Sequence, residues 1–122
     1  MDTGNQGDSM DDRLPAHLEV SGLIRAVQAQ GGFATVIAKG ERDAGTLIVI
    51  CCENGTKLRA YERMPQLDGT RDWVLSKSQD TENPQEFAEY LARRQRQDSD
   101  LWILELDIAN AERFIGIVHC NN

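Results

Sequence analysis

The stretch RQRQDSDLWILELD, residues 94–107, sets Arg94, Arg96, Asp98 and Asp100 ahead of a hydrophobic run that ends in Glu105 and Asp107. It can be read as an acidic catalytic site or as a helix end entering a buried strand. Arg93, Arg94 and Arg96 fall in the last turn of a helical pattern, where cations complement the negative end of the helix dipole. Asp98, Ser99 and Asp100 are turn formers whose side chains bond nearby backbone. From Leu101 the side chains alternate, so Trp102, Leu104 and Leu106 share one face and Ile103, Glu105 and Asp107 the other. Glu105 and Asp107 then lie about 6–7 Å apart at Cβ, a spacing that suits a divalent cation or an acid and base pair. Such a site needs a third ligand or a base close by, and the sequence names none. The second reading is favoured, with Trp102 in the core and the carboxylates on a solvated or salt-bridged face.

Working outward, Asn83, Pro84 and Glu86 supply a cap, a first-turn proline and a third-position carboxylate for the helix that ends near Arg96, with Phe87, Tyr90 and Leu91 inward. Before it, residues 64–84 hold Pro65, Asp68-Gly69 and a polar run at 76–83 around a short strand at 73–75, which reads as a long loop. Further upstream FATVIAKG (33–40) and TLIVICCE (46–53) are β-branched and apolar, joined by ERDAG and followed by Asn54-Gly55. LIVICC is apolar at both parities and fits a central strand, whereas KLRAYER (57–63) mixes charge with apolar side chains and looks more exposed. Val20, Leu23, Ile24 and Val27 recur at helical spacing behind Pro15, predicting a helix over about 15–30 closed by Gly31-Gly32. Beyond the opening stretch, LWILELDIANAERFIGIV (101–118) reads as a hairpin around a break at 109–112, with a helix from Asn110 onward as the alternative. The sum is a small α+β single domain over 13–120: helix, three-strand antiparallel meander, helix, and two further strands on the same sheet.

The bulk numbers agree with one soluble domain. A chain of 122 residues with 40% hydrophobic and 27% charged side chains can bury an ordinary core. Of the net charge of −7, four negative charges sit in residues 1–12 as Asp2, Asp8, Asp11 and Asp12. That segment offers nothing to bury and reads as a disordered tail, with Met10 an alternative start. A mildly acidic folded part gives no counterion-release drive toward nucleic acid or anionic lipid. No signal peptide or apolar run of membrane-spanning length occurs, and three cysteines without C-x-x-C spacing fit a reducing compartment, so the expected address is cytoplasmic.

Nothing else carries a catalytic signature. Cys51 and Cys52 point to opposite faces of an apolar strand and read as core thiols, and alternation separates His119 from Cys120. His17 sits at the margin of an apolar stripe, and Ser21, Ser76 and Ser78 lack a nucleophile elbow. No dinucleotide or phosphate-loop glycine pattern is present.

The order RLPAHLEVSGLIRAVQAQGGFATV, then KG and AG flanking a short loop, then MPQ, then RRQRQDSDLWILELD, resembles the alphaproteobacterial family catalogued as domain of unknown function 1491, over about 13–118. GGFATV at 31–36 and D-x-D-L-W at 98–102 are its most specific pieces. Where members usually carry an aromatic and a proline, as in FDPDLW, this chain has Gln97 and Ser99. The resemblance implies a small α+β domain in the bacterial cytoplasm and brings no activity, cofactor or catalytic residue.

The resulting expectation is a non-enzymatic module that binds a protein or small-molecule partner, without a cofactor or metal. Its candidate binding residues are Trp73, the loop residues Pro65, Asp68 and Arg71, and the adjoining Arg94 and Arg96. The alternative is a metal- or carboxylate-dependent enzyme acting on a small or phosphorylated substrate through Asp98, Asp100, Glu105 and Asp107. Exposed edges of an antiparallel sheet also allow a homodimer.

Overall fold

The computed structural model of the chain describes residues 14–65, 67 and 71–117. The tail expected at 1–12, Asp68, and His119 with Cys120 lie outside them. Helix α1 (Ala16–Ala29) buries Ala16, Val20 and Val27 along one stripe, and Gly31 follows at φ +87°. Strands β1 (Phe33–Ala38), β2 (Leu47–Glu53), β3 (Thr56–Pro65) and β4 (Arg71–Ser78) precede helix α2 (Gln85–Gln97), strand β5 (Trp102–Asp107) and a 3-10 turn at Ala111–Ile115. This is the α+β class, with two helices on a five-strand mixed sheet.

The strand neighbours differ from the expected ones. The sheet order is β1-β5-β2-β3-β4, so the antiparallel meander runs through β2, β3 and β4, and β5 lies between β1 and β2, parallel to β2. The hairpin from 33–40 to 46–53 is therefore an open one with a strand in its slot. Residues 39–46 are long enough to span two strand spacings, about 10 Å, so local sequence is compatible with either pairing. The linker is strapped to the start of β5: Glu41 N donates to the Asp100 carbonyl at 3.0 Å and Trp102 N to the Thr46 carbonyl at 2.8 Å. A Cβ at Gly40 or Gly45 would collide with the Asp100 carbonyl, so the KG and AG pairs leave room for this crossing.

Placement of β5 in the middle follows from its side chains. Trp102, Ile103, Leu104 and Leu106 are all buried, on both faces, as are Leu47 through Cys52 of β2. One core, under α1 and the 3-10 turn, gathers Val20, Val27, Val49, Trp102 and Leu104; the other, under α2, gathers Ile48, Ile50, Ala60, Phe87 and Ile103. Asn54-Gly55 forms the tight β2–β3 turn, both residues at positive φ.

Four local expectations change. The segment after β5 is the 3-10 turn and not a strand: Asn110 and Gly116 sit in the left-handed region at its two ends and stop strand pairing. Residues 64–84 are not one long loop, because 71–78 pair with β3 along its whole outer half. With β4 outside it, KLRAYER is an inner strand, and Ala60, Tyr61 and Glu62 are buried. Helix α2 starts as expected behind Pro84, yet no side-chain hydrogen bond caps it; Glu86 N donates to the Asn83 carbonyl instead.

Candidate functional site

Because β3 is an inner strand carrying charge at both parities, each of its ionic side chains needs a partner. On the α2 face, both Glu62 carboxylate oxygens accept from Arg94, at 2.6 and 2.7 Å. Arg94 also reaches the Tyr90 hydroxyl at 3.3 Å, and that hydroxyl donates to Ser76 Oγ at 2.9 Å. On the opposite face Arg63 makes the same two-pronged pair with Glu19 of α1, at 2.8 and 2.7 Å. Such fork-to-fork pairs fix direction as well as charge. The Arg63 guanidinium lies 4.7 Å from the ring centre of Trp73, its cross-strand neighbour on β4. Its Nε is buried and has no hydrogen-bond partner among the described residues.

A third cluster ties the 3-10 turn to β3. Glu112 is buried, accepts from Arg59 Nε and from Arg59 Nη2 at 3.0 Å, and takes the Tyr61 hydroxyl at 2.9 Å. Burial pushes the Glu112 carboxyl upward, but the Arg59 and Tyr61 hydrogen bonds outweigh it and hold the group below its ordinary value. Tyr61, desolvated and bonded to that carboxylate, is pushed up to about 12.

These pairs sort the residues expected from sequence. Pro65, Arg71 and Trp73 come together on the β3–β4 hairpin, Arg71 opposite Pro65 and Trp73 opposite Arg63. Arg94 does not join them, because Glu62 and Arg63 are successive residues of β3 and Arg94 binds the one that faces α2. It also does not cap its own helix, since its guanidinium is committed to Glu62. Arg96 is exposed on α2. Trp73 is half-buried at the margin of the α1-side core. Beside it Leu75 is exposed, and Leu67 at the hairpin tip is fully so. Arg71 is exposed and has no side-chain partner among the described residues.

The four carboxylates of the opening stretch do not converge. Asp98 Oδ1 accepts from Asp100 N at 3.0 Å in the turn before β5, whereas Asp107, at the other end of that strand, takes Asn54 N and Gly55 N at 2.7 and 3.0 Å. Asp107 thus locks the β2–β3 turn. Glu105 lies between them, opposite Ile50 and Thr35. Among the described residues no three His, Cys, Asp or Glu side chains form a group able to hold a metal ion. Cys51 and Cys52 are buried; desolvation, then Glu112, pushes Cys51 up to about 12, and desolvation, then Glu105, does the same to Cys52. His17 Nδ1 donates to the Arg42 carbonyl at 3.1 Å, and Ser21 Oγ donates to the His17 carbonyl at 2.9 Å.

Sequence reasoning passed over Arg59, Arg63, Glu19, Glu62 and Glu112. The legible signal was the charge at both parities of KLRAYER, which marks a strand whose ions are paired from two sides once that strand is interior.

Residues 14–116 match the family model described as a protein of unknown function (DUF1491), and the chain belongs to this family. It is similar to a DUF1491 family protein from Caulobacter crescentus CB15, known by crystallography, at 28% identity over 85% of this chain and 96% of that one, with a TM-score of 0.71. A solution structure of a protein from A. tumefaciens is similar at 30% identity over 90% of this chain and 98% of that one, with a TM-score of 0.68. No match is found among curated proteins. Among the described residues no helix is long and apolar enough to cross a membrane.

Proposed function

With membership of the DUF1491 family as the premise, we propose that this chain is a non-enzymatic module of the bacterial cytoplasm that binds a protein partner along the β3–β4 hairpin. The contact surface is Arg71, Trp73 and Leu75 on one face of β4, with Leu67 at the tip. One observation carries the reading: Trp73 is held by a guanidinium that is itself clamped by Glu19, and its remaining surface stays open beside exposed Leu75. A pre-oriented aromatic anchor with apolar neighbours and an unpaired arginine is the composition of a binding hot spot. The complementary partner presents an apolar side chain to Trp73 and Leu75 and a carboxylate to Arg71.

The test is affinity purification from the native bacterium with wild-type and Trp73→Ala bait, followed by titration of the purified partner. Trp73→Ala should fold and lose the partner, and Arg71→Glu should weaken it. Retention of the partner by Trp73→Ala, or collapse of its fold, would assign Trp73 to the core and end this reading.

A further inference from the structure

A second surface, on the other flank of α1, has a different chemistry. Between α1 and the edge strand β1 lies a cleft of about 480 Å³, within the roughly 300–1,000 Å³ range of small-molecule sites. Its floor is apolar: Val20 and Trp102 are buried, Ile24 is half-buried, and Val36 keeps 40% of its surface exposed. Its rim carries His17, Lys39 and Arg42, and no carboxylate lines it. Asp43, 3.9 Å from His17 Nδ1 and largely exposed, stands outside the lining. Lys39 and Arg42 have no side-chain partner among the described residues. In a chain of net charge −7, Lys39 and Arg42 held at one rim without counter-ions among the described residues are out of keeping with the rest of the surface.

We infer that this cleft is a binding site for a small amphipathic carboxylate, its apolar body on Val20, Ile24, Val36 and Trp102 and its anionic head between Lys39 and Arg42. An uncharged apolar ligand would use the floor and leave the bases idle, and an inorganic anion would do the reverse. Only a ligand with both parts uses the whole cleft. The walls are preformed, because the 39–46 linker that carries Lys39 and Arg42 is bonded both to β5 and to the first turn of α1: Ala16 N and His17 N donate to the carbonyls of Asp43 and Arg42 at 3.0 and 2.9 Å.

The chain has two tryptophans, so Trp73→Phe leaves Trp102, in the floor, as the sole fluorescent reporter. That variant is titrated with sodium decanoate, 1-decanol and inorganic phosphate, and amide shifts at Val36, Lys39 and Arg42 are followed in parallel by NMR. The expected result is saturable binding of decanoate, with decanol and phosphate roughly tenfold weaker or silent, the loss that one charge-assisted hydrogen bond predicts. Lys39→Ala with Arg42→Ala should weaken decanoate by a similar factor and leave the unfolding midpoint unchanged. No saturable response in either readout, equal binding of decanol, or full affinity in the double variant would each overturn the assignment. The partner of β4 plays no part in this titration, so the two readings fail separately.

Discussion

The two edges of the sheet are held by different forces. The β3–β4 side is pinned by oriented ion pairs from both faces, Glu62 with Arg94 and Glu19 with Arg63, and by the buried Arg59–Glu112–Tyr61 cluster. The β1 side has its ladder to β5 and apolar contact with α1, and it leaves Phe33, Val36 and Ile37 exposed. Directional hydrogen bonds set side chains at fixed angles, whereas apolar contact is indifferent to angle. The pinned edge therefore suits recognition by a presented side chain, and the apolar edge suits a cleft filled by shape and a few charges.

Removing one ion from the pinned side should break that contrast most severely. Arg59→Met leaves Glu112 buried with its main counter-ion gone, at a cost of about 3 kcal/mol or more, read as a lowered urea midpoint. A loss under about 1 kcal/mol would show that the pinned side is held as loosely as β1.

Acid provides the next perturbation. Glu112 is held below its ordinary value of 4.5 in the folded chain. A carboxyl depressed on folding lends stability above its unfolded pKa, and that share is lost as the pH falls through the folded one. Wild type should accordingly weaken on acidification below about 4.5, and Glu112→Gln should show a flatter profile over the same window in thermal melts.

A smaller effect is expected at Trp73, which is only half-buried and stacks on a charge already satisfied by Glu19. Trp73→Ala should cost about 1–2 kcal/mol, from a cation–π contact and partial burial, while abolishing partner binding. The smallest belongs to the apolar edge. Val36→Ala should change stability by no more than about 0.5 kcal/mol, since the side chain is well exposed. A cost near that of Arg59→Met would mean that β1 is packed as tightly as β3, and the contrast would be lost.

Much of this was legible in advance, and the limits are instructive. Both helices, the Asn54-Gly55 turn and the two-sided burial of LIVICC follow from patterns within ten or so residues. The 71–78 strand was read only as a short one at 73–75 within a loop because its alternation is masked by charge, and only pairing with β3 makes those charges peripheral. At the candidate site Trp73 and Arg71 were legible as a loop-borne aromatic and base, but Arg94 was grouped with them wrongly, because spacing along a helix does not say which face of a distant strand its side chain will meet.

The linear chain by itself determined the two helices, the first two strands and the two-sided burial of LIVICC, since period, propensity and turn chemistry act between near neighbours. Only the tertiary structure decided that β5 would enter between β1 and β2, and that Glu62, Arg63 and Arg59 would take partners 32, 44 and 53 residues away. An eight-residue linker can close a hairpin or leave a slot. What selects the slot is burial of both faces of WILEL, a property of the assembled core and not of the linker.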